Sequence, residues 1–310
     1  MAARGAPRLT AAEFGALHRR LASAASWAAG GRGALAALTP DRVAAAAGEV
    51  RTGRTVTLAA PVETRPGPDD PEPARHRMIA VPGVDAGSGL HFARDRFAMN
   101  VHGDADSHLD ALCHVVWDGT LHGGVPAGTV TPDGATALTV ESARDGIVGR
   151  GVLLDIPRLR GVPWLEPGDH VTAADLSAAE EAQQVSVSEG DLLFVRVGHR
   201  RRRAELGAWD VAGARAGLHP TALDFLADRR VAALGGDGNN DTAPSSTDGV
   251  DFPVHVLAIH AMGLHLLDYL RFEDLAPLCE AEGRWSFLCV IAPLRLPEAT
   301  GSPVNPIAVL

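Results

Sequence analysis

A chain of 310 residues can hold two average domains, yet α/β enzymes of this length also fold around one large sheet. Its 46% hydrophobic and 21% charged residues exclude a disordered chain, and a net charge of −10 with scattered arginines offers nucleic acid no basic face. All 28 basic residues are arginine; without lysine, Schiff-base, pyridoxal and P-loop chemistry are excluded.

In chain order, Thr10 can cap a helix over residues 11–22, and Thr39 followed by Pro40 starts a second running to about Val50. Residues 1–50 therefore read as a helical N-terminal arm, and residues 51–310 as the body. Residues 55–62 look like a strand, and the prolines and charges of 65–77 a loop. Branched apolar runs at 152–156, 191–197 and 231–234 predict buried strands, and 285–296 supplies the last. Thr172 opens a helix through about Gln184, and another covers 220–228. Alternating strands and helices predict an α/β or α+β single domain with a central mixed sheet or barrel-like β core flanked by helices. Three cysteines, Cys113, Cys279 and Cys289, without C-x-x-C spacing argue against disulfides and a thiolate site. No signal peptide or run of about 18 apolar residues is present, so a cytoplasmic chain with no membrane partner is expected.

The informative stretch is 102–114, HGDADSHLDALCH. In extended backbone His108 and Asp110 share a face, and a helix starting near Asp110 would raise His114 one turn above it. Imidazole and carboxylate in such a cluster suit zinc, manganese or iron(II). Capping and loop residues near a turn are the bland reading, but it leaves too many charges without partners beside the apolar residues 112–117.

SHLDALCH at 107–114 resembles the T-H-x-D-x-x-x-H signature of the cyclase family of metal-dependent hydrolases, which includes bacterial kynurenine formamidases and isatin hydrolases. The resemblance continues through GVLLD at 151–155, GDLLFVRVG at 190–198, PVH at 253–255, LDYL at 267–270, APL at 292–294 and GSP at 301–303. The His-Gly opening and DALCH wording are closest to a longer-chain subgroup. The resemblance implies a swivelling β/β/α fold. It also implies His108 and Asp110 as metal ligands, His114 as the proton shuttle, and His255 as a ligand of a second metal. Asp268 stands where formamidases have glutamate, one methylene shorter. Asp104 occupies the position of a further ligand histidine and His102 lies two residues earlier; either could complete the set, with Asp104 preferred by position.

One or two divalent ions per chain, zinc or manganese before iron, are thus expected to serve hydrolysis of an amide, formamide, lactam or ester of a small aromatic or cyclic substrate. The reaction expected is arylformamidase-like. A metal-dependent cyclase or dehydratase, and a non-catalytic protein with a structural metal, are the alternatives. Trp27 and Trp117 are candidates for an aromatic pocket, although tryptophan is more often core. Asp237 and Asn240 sit in a polar Gly-Asn turn that could touch substrate. His260 and His265 are poorly spaced for one helical face and read as structural or exposed, and Arg200 to Arg203 as a solvated charge run. No G-x-S-x-G elbow exists to support a serine hydrolase. The resemblance further implies a homodimer or tetramer.

Overall fold

The computed structural model describes residues 7–25, 31–83 and 88–310. Nine strands form one mixed sheet. At its centre Ile147–Asp155, Leu192–Arg196, Ala233–Gly236 and His265–Asp268 run parallel in that order. Beyond Ile147–Asp155 lie Ser286–Ile291, Ile307–Val309 and Thr55–Thr57, all antiparallel to their neighbours. Beyond His265–Asp268 lie His108–Asp110 and Gly301–Pro303, again antiparallel. Helices flank this sheet, as an α/β reading requires.

The central strands are buried on both faces, and their side chains divide between two cores with period two. Val152, Leu154, Leu193, Val195, Leu234 and Leu266 belong to one core. Leu153, Leu192, Phe194, Ala233 and Leu267 belong to the other. Leu109 joins the second core, so its neighbours His108 and Asp110 emerge on the opposite face.

Helix Ala11–Ala24 begins with a capping box: the Glu13 backbone N–H donates to the Thr10 hydroxyl, and Glu13 Oε2 accepts from the Thr10 backbone at 2.8 Å. Phe14, Leu17 and Leu21, on one helical face, enter the first core. The helix from Pro40 stops at Ala46 and tightens into a 3-10 turn over Ala47–Glu49. Residues 55–62 yield a strand only over Thr55–Thr57. The loop expected at 65–77 ends early, because Arg75–Ala80 pairs with Arg94–Ala98 in an exposed ribbon. Helix Ala173–Gln183, capped by Thr172, matches its expectation closely. The last expected strand occupies Ser286–Ile291, followed by the short Gly301–Pro303 and Ile307–Val309.

No helix starts at Asp110. That residue is paired on both sides, with Leu266 and with Gly301, and this double ladder holds 108–110 extended. The chain then turns sharply, with the His114 N–H donating to the Ala111 carbonyl at 2.9 Å. Arg200 to Arg203 is not simply a solvated run. Arg200 is buried and donates to the carbonyls of Ala105, Tyr269 and Leu270, while Arg203 pairs with Asp69 and Glu63. An arginine fork satisfies several carbonyls where the chain changes direction, and that overrides the cost of burying it. No described helix is long and apolar enough to cross a membrane.

Candidate metal centre

Sheet register assembles the site. His108 lies opposite Asp268 and Asp110 opposite Leu266, so His108, Asp110 and Asp268 share one face of adjacent antiparallel strands. His102 reaches the same face from the preceding loop. Its Nδ1 is 2.8 Å from Asp110 Oδ1 and its Nε2 is 2.9 Å from Thr300 Oγ1. The ring passes over Gly301, where a Cβ would come within 2.7 Å of its Cε1. His255 enters from the short helix Pro253–His255.

Two sets of ligand atoms lie close enough for one ion each: His102 with His108 and Asp110, and Asp110 with His255 and Asp268. Asp110 belongs to both. Asp104 belongs to neither; its Oδ1 accepts the Tyr269 hydroxyl at 2.8 Å while its side chain borders the cleft. The geometry thus brings His102, rather than the positionally preferred Asp104, to the ligand cluster.

The residues fit divalent cations. Asp110 and Asp268 are wholly buried, and among the described residues Asp110 Oδ2 and Asp268 Oδ2 have no hydrogen-bond partner. His255 Nε2 lies 3.4 Å from the first and 3.5 Å from the second, poised as their common neighbour. Each of the two tightly held imidazoles has its other nitrogen engaged by the protein, which fixes the tautomer and aims Nε2 inward. His108 Nδ1–H donates to the Asp106 carbonyl at 2.8 Å, and His255 Nδ1–H to Asp241 Oδ2 at 2.6 Å. Asp241 also accepts the backbone N–H groups of Val254 and His255.

Without an ion the cluster is electrostatically unbalanced. Burial alone would lower the His255 pKa, but Asp268, Asp110 and Asp241 overcome it and hold the ring well above its ordinary value. Burial would likewise raise Asp110, yet the surrounding imidazoles, His114 first, hold it well below the usual carboxylate range. A buried carboxylate group that draws so strongly on cationic neighbours is a place for metal charge. His114 stacks on His102 with ring centroids 3.7 Å apart, and burial brings it down to about 4.

A cleft of about 410 Å³ opens over the ligands. His114, Asp104 and Asn239 are among its polar lining, and Val115, Val116, Phe252 and Val256 form an apolar side. The other candidates lie elsewhere. Trp117 packs edge-on against Phe14 at 5.6 Å, away from the cleft lining. Trp27 lies outside the described residues. Asp237 is fully buried and accepts three backbone N–H groups, from Val197, Gly198 and His199. Asn240 donates to Asp268 Oδ1 at 2.5 Å and to the Leu267 carbonyl, so it positions a ligand carboxylate. His265 is buried and His260 half-buried, and neither borders the cleft. Asn239 and Asp241 lie in the polar loop that the sequence marks for contact, but their separate roles were not legible; Thr300, 198 residues from His102, and Phe252 escaped sequence reasoning.

The family model described as "Putative cyclase" matches residues 55–240, and the chain belongs to this cyclase family. A crystal structure described as a novel cyclase is 30% identical, with a TM-score of 0.83 over 94% of this chain and 99% of its own. An isatin hydrolase bound to the product analogue thioisatinate is 22% identical, with a TM-score of 0.57 over 85% of this chain and 94% of its own. A predicted metal-dependent hydrolase from Bacillus stearothermophilus shares the fold at 18% identity and a TM-score of 0.52, over 82% of this chain and 97% of its own. A search of curated proteins found no match.

Proposed function

We propose that the protein is a divalent-cation-dependent hydrolase that cleaves an amide, formamide, lactam or ester bond in a small aromatic or cyclic substrate. The observation that carries this reading is the pair of buried oxygens on Asp110 and Asp268 that accept no hydrogen bond among the described residues and converge on His255 Nε2 beneath an open cleft. His102, His108, Asp110, His255 and Asp268 would hold one or two ions, with zinc or manganese suited to this oxygen and nitrogen set. When bound, such an ion polarises a carbonyl and lowers the pKa of water toward about 7.

The remaining work falls to the chain. The His114 ring borders the cleft, stacks on His102 and makes no side-chain hydrogen bond among the described residues, so its nitrogens are available to take a proton from water and return it to the leaving nitrogen or oxygen. The apolar side at Val115, Val116 and Phe252 suits a flat ring and excludes water from the reacting carbonyl. The solved cyclase-family neighbours named as an isatin hydrolase and a metal-dependent hydrolase support the reading.

Elemental analysis of the purified protein, combined with a panel of N-formyl aromatic amines, isatin-like lactams and lactones, tests it. Hydrolysis of one class with divalent metal present is expected; inertness of the metal-loaded protein on all of them would overturn it. His114→Ala should retain the metal and lose at least about 100-fold in turnover, whereas His108→Ala should lose both. Unchanged metal content in His108→Ala would refute the ligand assignment.

A homo-oligomer belongs to the same proposal. The ribbon of Arg75–Ala80 and Arg94–Ala98 exposes Met78, Ile79 and Phe97, and isolated two-stranded ribbons are marginal in water. Light scattering should give twice or four times the chain mass, and a monomer would reject it.

A further inference from the structure

Residues 237–241 follow the Ala233–Gly236 strand at the carboxyl end of the parallel strands, where open α/β sheets form ligand crevices. Almost every polar side chain of this loop is committed inside the protein. Asp237 holds the backbone amides of Val197, Gly198 and His199. Asn240 holds Asp268, and Asp241 holds His255. Thr242, just beyond, donates to the Leu218 carbonyl at 3.2 Å.

Asn239 differs from all of them. It borders the cleft, is only 8% exposed, and its carboxamide makes no hydrogen bond among the described residues. Its Oδ1 is completely buried and lacks a donor, which leaves Nδ2 as the end of the group that meets the cleft. Nδ2 donates to nothing among the described residues, and an unpaired donor beside a binding cleft points to an acceptor that arrives with the ligand. Among the residues lining the cleft it is also the one carboxamide; the other polar groups are imidazoles and the carboxylates Asp104 and Asp268.

We infer that Asn239 is the polar anchor of the substrate: its Nδ2–H donates to the oxygen of the carbonyl under attack, while Val115, Val116, Phe252 and Val256 hold the apolar body. The inference rests on the hydrolase reading. A carboxylate at this position would repel that oxygen, and an apolar residue would leave it undirected. Negative charge grows on the oxygen as the carbonyl is attacked, so a fixed neutral donor binds the transition state more tightly than the ground state.

The test compares wild type, Asn239→Leu and Asn239→Asp, each loaded with zinc and, separately, with manganese, on formanilide, isatin and a benzo-fused lactone. On the substrate that wild type hydrolyses, both variants should lose about 100-fold in kcat/KM, the size expected for removing one such donor. Zinc content should not change. The Tm of Asn239→Leu should hold or rise, because the substitution removes a buried unsatisfied oxygen. A purely structural asparagine would instead lower Tm and activity together, and that result would overturn the inference. So would a kcat/KM for Asn239→Leu within threefold of wild type. Failure of wild type on all three substrates would sink the hydrolase reading and this inference with it, whereas an active wild type with an indifferent Asn239→Leu sinks the inference alone.

Discussion

Asp241 is wholly buried and outside the cleft lining, yet it decides how His255 presents itself. Its Oδ2 accepts from Nδ1–H of that ring at 2.6 Å, and its two oxygens also take the amides of Val254 and His255. Nε2 is thereby turned toward Oδ2 of Asp110 and of Asp268. Asp241→Asn keeps the shape but removes the charge that makes Nε2 basic. Zinc affinity should fall by about 10- to 100-fold, the usual effect of losing a carboxylate behind a ligand histidine. Competition with a chelating dye would show this, and an unaltered affinity would mean that Asp241 only caps the short helix. Gly301 makes a similar argument by absence. A Cβ there would lie 2.5 Å from the Leu109 carbonyl oxygen and 2.7 Å from His102 Cε1, so Gly301→Ala should shift both the strand that carries Asp110 and the ring that leans on it. Because Asp110 belongs to both sets, zinc affinity should fall at both, which the dye titration would register; an unaltered affinity would mean that the strand yields without moving Asp110. That His108 and Asp110 share a face was legible from spacing, and their place as ligands is what the family resemblance implies. The choice between His102 and Asp104 was not legible, because it depends on Thr300 and Gly301 of a strand nearly two hundred residues away.

At the scale of elements, local chemistry announced those whose signals are local. The Thr10 and Thr172 caps fall at the helix starts read from sequence, because a hydroxyl three residues before an acid needs no tertiary context. Three of the four central strands followed from branched apolar runs buried on both faces, whereas His265–Asp268 was not expected as a strand. Gly301–Pro303 and Ile307–Val309 carry no such signal; three residues each, they are strands because a neighbouring strand offers hydrogen bonds. The expected helix at Asp110 failed for the same reason, since pairing on both flanks overrides local preference. Asp237 shows how such tertiary devices stabilise an element. It closes the amino end of helix His199–Leu206, whose first residue's N–H it accepts at 3.0 Å. Asp237→Ala would leave the buried amides of Val197, Gly198 and His199 unsatisfied, at about 1–3 kcal/mol for each group that water cannot reach. A loss of at least about 3 kcal/mol in urea-unfolding stability is therefore expected. A loss below about 1 kcal/mol would show that water replaces the carboxylate.

For the molecule as a whole, the buried histidines that do not border the cleft set the response to acid. Burial brings His265 down to about 3, with His122 and Arg32 adding to the shift and Asp110 opposing it; the Ser142 hydroxyl lies 3.1 Å from its Nε2. Burial also lowers His260 to about 4 and, with four nearby arginines, His199 well below its ordinary value. Each is neutral in the folded chain but gains a proton in the unfolded chain below about 6.5, the ordinary histidine value. The unfolded state therefore binds more protons as pH falls, and the stability these groups contribute is complete above about pH 6.5 and drains away toward their folded values. For His265, which is fully buried, the slope is about 1.4 kcal/mol per pH unit through that window. Urea unfolding with chelator present, at several pH values from 7 to 4.5, should show the decline. His265→Leu should flatten it by about that slope while leaving stability at pH 7 little changed, since His265 Nδ1 has no partner among the described residues. Parallel curves for wild type and His265→Leu would show that the ring is already protonated in the folded protein.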